Sequence, residues 1–547
     1  MNRILFLITL LLLTTDYLSA QLFDRQSEFT RQDTLRGTIT AERAWWDVTY
    51  YHLDINVNLE DSTFSGTNTI QYKVGSATTN IMQIDLQEPM EISRITQTQN
   101  ELSFNREGNA FFVETPSNQK VGEIHEVVVH FSGKPKKAIR APWDGGVTWT
   151  RDKNGNPFVA TSNQGIGASL WWPNKDHAYD EPDSMLISVT IPDNLIDVSN
   201  GRLQSEVDNK DGTKTWNWFV SNPINNYGVN LNIGDYIHFG ETYDGEKGEL
   251  DMDYYVLSYN LEKAKAQFKD APRTMEAFEY WFGPYPFYED SYKLVQAPYL
   301  GMEHQSSVTY GNGFENGYLG SDLSSSGWGM KFDFIIVHES GHEWFANNIT
   351  YRDVADMWIH ESFTHYSEYL FLEYHFGKEA AQEYARGVRL RIQNDSPIIG
   401  IYNVNYEGSS DMYYKGGNML HTIRQIIGDD DLWRKILRGL NSEFYHQTVT
   451  TDQIENYIIE KSGKDLASVF DQYLRDYRVP ILEYFFKEGN LVYRWSNAVR
   501  NFNMPVKVYI DGKGTILQPT IGWKSIKTSG KELRVDIDYY VATFEVQ

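Results

Sequence analysis

A short apolar segment, residues 334–345, carries the side chains with the clearest capacity for chemistry. His338 and His342 are four residues apart, so on a helix both imidazoles lie on one face and can bind one metal ion. Glu339 is turned about 100° from His338 around such a helix. It can reach a metal-bound water, and we predict that it acts as a general base. Gly341 costs a helix about 1 kcal/mol relative to alanine, which indicates a close neighbour at that turn.

A catalytic zinc site with two histidines needs one further protein ligand and leaves its fourth position to water. Glu361 is the predicted third ligand, with eighteen residues between it and His342. It lies near the start of a second helical segment, for which Asp356 is the expected N-cap. His360 and His365 flank Glu361 and could compete with it, but we interpret them as surface or supporting polar residues. We expect one zinc ion per chain.

Composition narrows the class of protein to which these residues belong. Hydrophobic residues are 41% and charged residues 22% of the 547, a balance typical of folded proteins, and this length predicts two to four domains. The net charge of −25 argues against nucleic acid and anionic membranes as partners. There is no cysteine, which excludes disulfides, thiolate ligands and a cysteine nucleophile.

The N-terminus predicts export. Residues 1–20 combine Arg3 with an apolar run and end in Leu18-Ser19-Ala20, as in a cleaved signal peptide. The alternative is an N-terminal membrane anchor, but the apolar run is too short to span a bilayer. No later segment is long and apolar enough to cross a membrane, so we expect a secreted or periplasmic protein of bacterial type.

Three zones follow the signal. Residues 21–240 alternate apolar and polar positions between turn signals, which predicts a mostly antiparallel β domain. Residues 241–479 change to helical periods, with Gly377 and Gly428 as expected helix ends. Alternation returns in residues 480–547, which predicts a small β-sandwich. The expected fold class is therefore α+β with several domains.

Further motifs accompany the zinc segment, which continues as Trp344-Phe345-Ala346-Asn347. Upstream lies Leu300-Gly301-Met302-Glu303-His304, and downstream Tyr413-Tyr414-Lys415-Gly416-Gly417. Gln164 precedes Pro173 by nine residues. In combination these motifs resemble the aminopeptidase N family of gluzincin metallopeptidases, which includes leukotriene hydrolase. The second motif is similar to the family's G-A-M-E-N, from which it departs at Leu300, Gly301 and His304.

This resemblance implies a short form of the family, without its helical C-terminal domain, and a thermolysin-like, mainly helical catalytic domain. It implies that Glu303 and Gln164 bind the free α-amine of a peptide substrate. It also assigns backbone contacts with substrate to Gly301 and Met302. The hydroxyl of Tyr413 is implied to stabilise the transition state. The expected function is a zinc aminopeptidase that acts on peptides with a free N-terminus.

Three other functions remain open from sequence. A zinc endopeptidase would share the metal site but needs no amine anchor. A non-catalytic zinc-containing peptide-binding protein would bind without hydrolysis, although the presence of the base Glu339 together with all three ligands argues against it. An epoxide hydrolase activity like that of leukotriene hydrolase is not selected by any residue.

Overall fold

The computed structural model describes residues 28–76 and 78–547. The predicted signal peptide, residues 1–20, lies outside the described residues and stays a prediction. The described chain begins with β-sheets, continues with a mainly helical region and ends in two small sheets, which confirms the predicted α+β fold class. In this part of the chain, no helix has both the length and the apolar character that a membrane crossing requires.

The first region is built almost entirely of strands. Two short helices, α1 (Arg31–Gly37) and α2 (Ala41–Ala44), precede them. The strands are β1 (Trp46–Asn58), β2 (Thr63–Val74), β3 (Ile81–Asp85), β4 (Glu91–Gln97), β5 (Asn100–Glu101), β6 (Phe104–Glu107), β7 (Ala110–Glu114), β8 (Ile124–Gly133), β9 (Gly146–Arg151), β10 (Pro157–Ser162), β11 (Ser184–Pro192), β12 (Ile196–Val198), β13 (Arg202–Asp208), β14 (Thr213–Val220) and β15 (Asn232–Gly234). The largest sheet has the order β13-β14-β11-β1-β2-β8-β4-β5, and its pairs are antiparallel except β1 with β11.

The middle region combines one five-stranded sheet with most of the helices. Its elements are β16 (Tyr236–Gly245), β17 (Gly248–Leu257), α3 (Leu261–Gln267), α4 (Asp270–Phe282), β18 (Tyr292–Gln296), β19 (Gly301–Met302), β20 (Val308–Tyr310), α5 (Phe334–Gly341), β21 (Ile349–Tyr351), α6 (Trp358–Phe376), α7 (Lys378–Val388), α8 (Tyr414–Ile427), α9 (Asp430–Glu443), β22 (Gln447–Val449), α10 (Thr451–Ser462) and α11 (Ala467–Leu474). The sheet order is β16-β17-β18-β20-β19, so β19 is an edge strand. The domain boundary predicted at residue 240 falls inside β16, which pairs along its length with β17.

The last region contains two sheets, with the orders β27-β24-β23-β29 and β26-β25-β28. Their strands are β23 (Ile481–Lys487), β24 (Asn490–Ser496), β25 (Val506–Ile510), β26 (Lys513–Leu517), β27 (Lys524–Lys527), β28 (Leu533–Val535) and β29 (Ala542–Glu545). One apolar core is continuous through the middle and last regions, whereas a separate core fills the first. The last region therefore packs directly against the helical one.

Helices α5 and α6 hold most of the predicted metal ligands, and their boundaries follow from local chemistry. The Asp333 carboxylate accepts from two backbone N–H groups at the start of α5, as an N-cap does. A methyl group at Gly341 would lie 2.6 Å from Oγ of Ser367, so the expected close neighbour is helix α6. The prediction of Asp356 as the N-cap of α6 is wrong, because its carboxylate accepts instead from Thr451.

Candidate active site

Three buried side chains converge on one point. They are His338 on α5, His342 directly after α5 and Glu361 on α6. Nε2 of His338 lies 3.8 Å from Oε2 of Glu361, and Nε2 of His342 lies 3.4 Å from the same oxygen. That oxygen is buried and has no hydrogen-bond partner among the described residues, which is costly unless a cation binds there. Two imidazoles and one carboxylate are a donor set that fits zinc. The structure thus brings the three predicted ligands together.

The imidazoles are oriented by bonds at their other nitrogen. Nδ1 of His338 donates to Oε1 of Glu368 at 2.8 Å, and Nδ1 of His342 donates to the carbonyl of Phe345 at 3.0 Å. These bonds place the proton on Nδ1 and leave the Nε2 lone pair for a metal. Sequence reasoning missed Glu368. Its signal was the spacing of seven residues from Glu361, because two helical turns bring both carboxylates to the same face of α6.

Glu368 is fully buried and also accepts from Nδ1 of His365 at 2.9 Å and from the hydroxyl of Tyr384 at 2.7 Å. Burial alone would raise its pKa, but the charge of His365 and the hydrogen bond from His338 hold the pKa down at about 2. Glu368 is therefore a carboxylate that fixes the ring of His338 and increases its basicity.

We predict that Glu368→Gln lowers zinc affinity about 10- to 100-fold, because His338 loses its charged partner. Competition against a chromogenic chelator measures this affinity. Glu379→Gln removes a carboxylate at the exposed start of α7 and serves as the control, which should retain the affinity of the wild type. An unchanged affinity in Glu368→Gln would show that the bond to His338 does not support metal binding.

Glu339 lies beside the three metal ligands and lines the same cavity. Its carboxylate, that of Glu303 and an imidazole nitrogen of His342 are within 4.8 Å of one another. Burial raises the pKa of Glu339 to about 7, and the charge of Glu303 adds to the effect. A pKa near neutrality suits a group that must both accept and release a proton. Gly301 on β19 permits the close approach, since a methyl group there would lie 2.9 Å from Oε1 of Glu339.

A second polar cluster joins Glu303 to the first region of the chain. Nε2 of Gln164 donates to Oε1 of Glu303 at 2.7 Å and to Oε1 of Glu361 at 3.0 Å. The hydroxyl of Tyr227, which sequence reasoning did not identify, donates to Oε1 of Glu303 at 3.2 Å. No sequence signal identifies Tyr227, because it lies far from the other motifs along the chain. Gln164 and Glu303 lie on different regions, and the structure brings them together.

The remaining predicted residues line the same cavity. Gly301 and Met302 form the edge strand β19, which pairs on one side with β20. The ring of Tyr413 stacks on that of His338, with 6.1 Å between the ring centroids. The hydroxyl of Tyr413 has no hydrogen bond among the described residues. Burial raises the pKa of Tyr413, and the charges of Glu361 and Glu303 add to the effect. Its hydroxyl therefore stays protonated and can donate to an oxyanion.

The histidines that flank the site have structural contacts. Nε2 of His360 accepts from the backbone N–H of Tyr351 at 2.9 Å, and the two rings stack at 4.2 Å. His360 is buried and His365 is bonded to Glu368, so of the two expected roles, surface residue or supporting polar residue, both histidines have the second. His304, the last departure from the family motif, is buried and uncharged, because burial lowers its pKa to about 3.

These residues line a cavity of about 690 Å³, a size typical of sites for small ligands and short peptides. The lining includes the three predicted metal ligands, Glu339, Glu303, Gln164 and Tyr413. None of the described residues that line it is lysine or arginine. The lining also includes the exposed ring of Trp143, so the cavity reaches the surface there.

Comparisons with known proteins identify relatives of this chain. Residues 266–473 match the peptidase family M1 domain, and residues 48–227 match the peptidase M1 N-terminal domain. Aminopeptidase N of Lactococcus lactis is 22% identical over 79% of this chain and 51% of its own length. Probable aminopeptidase 2 of Sulfurisphaera tokodaii is 22% identical over 78% of this chain and 55% of its own length. The chain thus spans about half the length of the curated relatives it matches.

Solved structures share the fold. The M1 zinc metallopeptidase from Deinococcus radiodurans superposes with a TM-score of 0.68 and 18% identity, over 80% of this chain and 95% of that one. A mutant of that enzyme bound to a Tyr-Ser-Ala substrate has the same TM-score and identity, over 79% and 95% of the two chains.

Proposed function

Because this chain belongs to peptidase family M1, we propose that it is a zinc-dependent aminopeptidase that removes the first residue from peptides with a free N-terminus. The observation that carries the proposal is the position of Glu303. Its buried carboxylate lies within 4.8 Å of the metal ligand His342 and of Glu339. An ammonium group bound to this carboxylate would hold the first peptide bond of a substrate beside the metal and the base.

The amine anchor consists of three groups from different parts of the chain. Gln164 and Tyr227 both donate to Oε1 of Glu303, so the carboxylate is fixed in place while Oε2 remains free to accept from a substrate ammonium. The buried carboxylate of Glu303 compensates the charge of the ammonium. A substrate that enters with its second or third peptide bond at the metal would place no cation at this carboxylate.

Zinc held by His338, His342 and Glu361 would lower the pKa of its water and polarise the carbonyl of the substrate. Glu339 then accepts the proton of the attacking water at its carboxylate and donates it to the nitrogen of the departing amine. The hydroxyl of Tyr413 donates to the oxyanion that forms from the carbonyl oxygen. The edge strand β19 offers its unpaired backbone groups to the main chain of the substrate.

Blocking the substrate amine tests the exopeptidase step. We predict that acetylation of an alanyl or leucyl reporter peptide lowers kcat/KM by at least about 100-fold, since a buried carboxylate left without its cation costs several kcal/mol.

Glu303→Gln should lower kcat/KM for the free-amine peptide about 10- to 100-fold, mainly through KM, and leave zinc content unchanged.

The same measurements separate the alternatives. An endopeptidase would cleave acetylated and free peptides at similar rates, and Glu303→Gln would affect both equally. A non-catalytic binding protein would bind zinc and peptide but release no product in any of these assays. Glu379→Gln, on the exposed surface of α7, should match the wild type in all of them.

A further inference from the structure

One carboxylate in the cavity has no role in the proposed mechanism. Glu407 lies on the loop between α7 and α8 and lines the same cavity as the metal ligands and Glu303. Among the described residues, its carboxylate has no hydrogen bond and no ion pair. The cavity wall also contains Asp144, but both oxygens of that carboxylate accept from backbone N–H groups at 2.8 and 2.9 Å. Glu407 is therefore a free anionic group facing the substrate space.

The loop that carries Glu407 is fixed from several sides. Asn403 receives a hydrogen bond on its carbonyl from Thr38 at 2.9 Å and donates its own N–H to Asp353 at 2.9 Å. The ring of Tyr406 packs edge-on against Phe29 at 5.6 Å. These contacts hold the loop in place before any substrate binds. Substrate binding therefore does not have to order Glu407.

The same loop lies on the amine side of the cavity. Nδ2 of Asn405 donates to the carbonyl of Gly165 at 3.1 Å, and Gly165 follows directly after the amine contact Gln164. The surrounding cavity wall raises the pKa of Glu407, and the charge of Glu361 adds to the effect. Glu407 thus shares the electrostatic environment of the metal ligands, close to where the first residue of a peptide would sit.

We propose that Glu407 selects substrates whose first residue carries a cationic side chain, arginine or lysine. The proposal rests on the proposed aminopeptidase function, which places the first residue on the amine side. An arginine or lysine side chain there would pair with Glu407, and the absence of lysine and arginine from the described cavity lining leaves no positive group to repel it or to compete for the carboxylate.

Pairs of reporter amides that differ in charge but not in size test this selection. Arginyl is compared with citrullinyl, and lysyl with norleucyl, for the wild type and for Glu407→Gln. The wild type should prefer each charged member in kcat/KM. In Glu407→Gln this charged-to-neutral ratio should fall about 10- to 100-fold, the effect of losing a charged hydrogen bond, while the neutral reporters keep their kcat. Glu407→Asp should restore part of the ratio, and Glu379→Gln should not change it.

The outcomes distinguish this selection from the function on which it rests. Hydrolysis of all four reporters with no charge preference, or with a ratio that Glu407→Gln leaves unchanged, would overturn the selection and leave the aminopeptidase function intact. An equal loss on all four reporters would overturn it too, because Glu407 would then act on a feature that every substrate shares. Failure of the wild type to hydrolyse any reporter in the presence of zinc would instead contradict the proposed function.

Discussion

Glu339→Gln is expected to lower kcat for an aminoacyl reporter amide by about 10²- to 10⁴-fold, the usual contribution of a positioned general base. Glutamine has nearly the shape of glutamate but cannot accept the proton of the attacking water. KM should change much less, because the amine contacts of Glu303 and the edge strand β19 do not depend on the side chain at 339. A barrier increase of about 3 to 5 kcal/mol corresponds to this loss.

The test needs evidence that the variant is otherwise intact. Zinc content per chain and the thermal midpoint should match those of the wild type, since Glu339 is not one of the three convergent ligands. Glu339→Asp retains the charge but retracts the carboxylate by one methylene, so its activity should also be low. Full activity in Glu339→Gln would show that another group accepts the proton and would reject the mechanism.

The metal site was predictable because its geometry is local. Positions four apart on one helix meet on one face, and the close neighbour inferred from Gly341 is helix α6, which carries Glu361. The hydrogen bonds that orient the imidazole rings of His338 and His342 were harder to predict from the sequence. The bond from His338 to Glu368 depends on how two helices are packed, and only the seven-residue spacing along α6 hints at it.

Other parts of the site join segments that are far apart in sequence. Tyr227 reaches Glu303, and the loop of Glu407 is fixed by Thr38 and Phe29, more than 300 residues away. Alternation and turn residues identify the strands on which such segments lie, but they do not specify which strand ends meet across two regions of a chain. The resemblance to a family supplied Gln164, whereas nothing in composition or periodicity pointed to Glu407.

Replacement of the predicted metal ligand Glu361 should strongly lower zinc affinity. In Glu361→Gln, zinc affinity should fall by more than the roughly 10- to 100-fold expected for an outer partner such as Glu368. The charge that faces Nε2 of both His338 and His342 is lost, and the amide of the new side chain cannot replace it. Activity at low zinc should therefore fall to that of the chelator-treated wild type.

Added zinc separates the metal ligand from the base. Because Glu361→Gln still has His338 and His342, a high zinc concentration should refill part of the site and restore part of the activity, whereas Glu339→Gln should gain nothing from zinc. The measurement is a zinc titration of activity for both variants, with bound zinc determined at each point. Full zinc occupancy of Glu361→Gln at the wild-type concentration would contradict its role as a ligand. Restoration of Glu339→Gln by zinc would instead show that its defect lay in metal binding and would reject Glu339 as the general base.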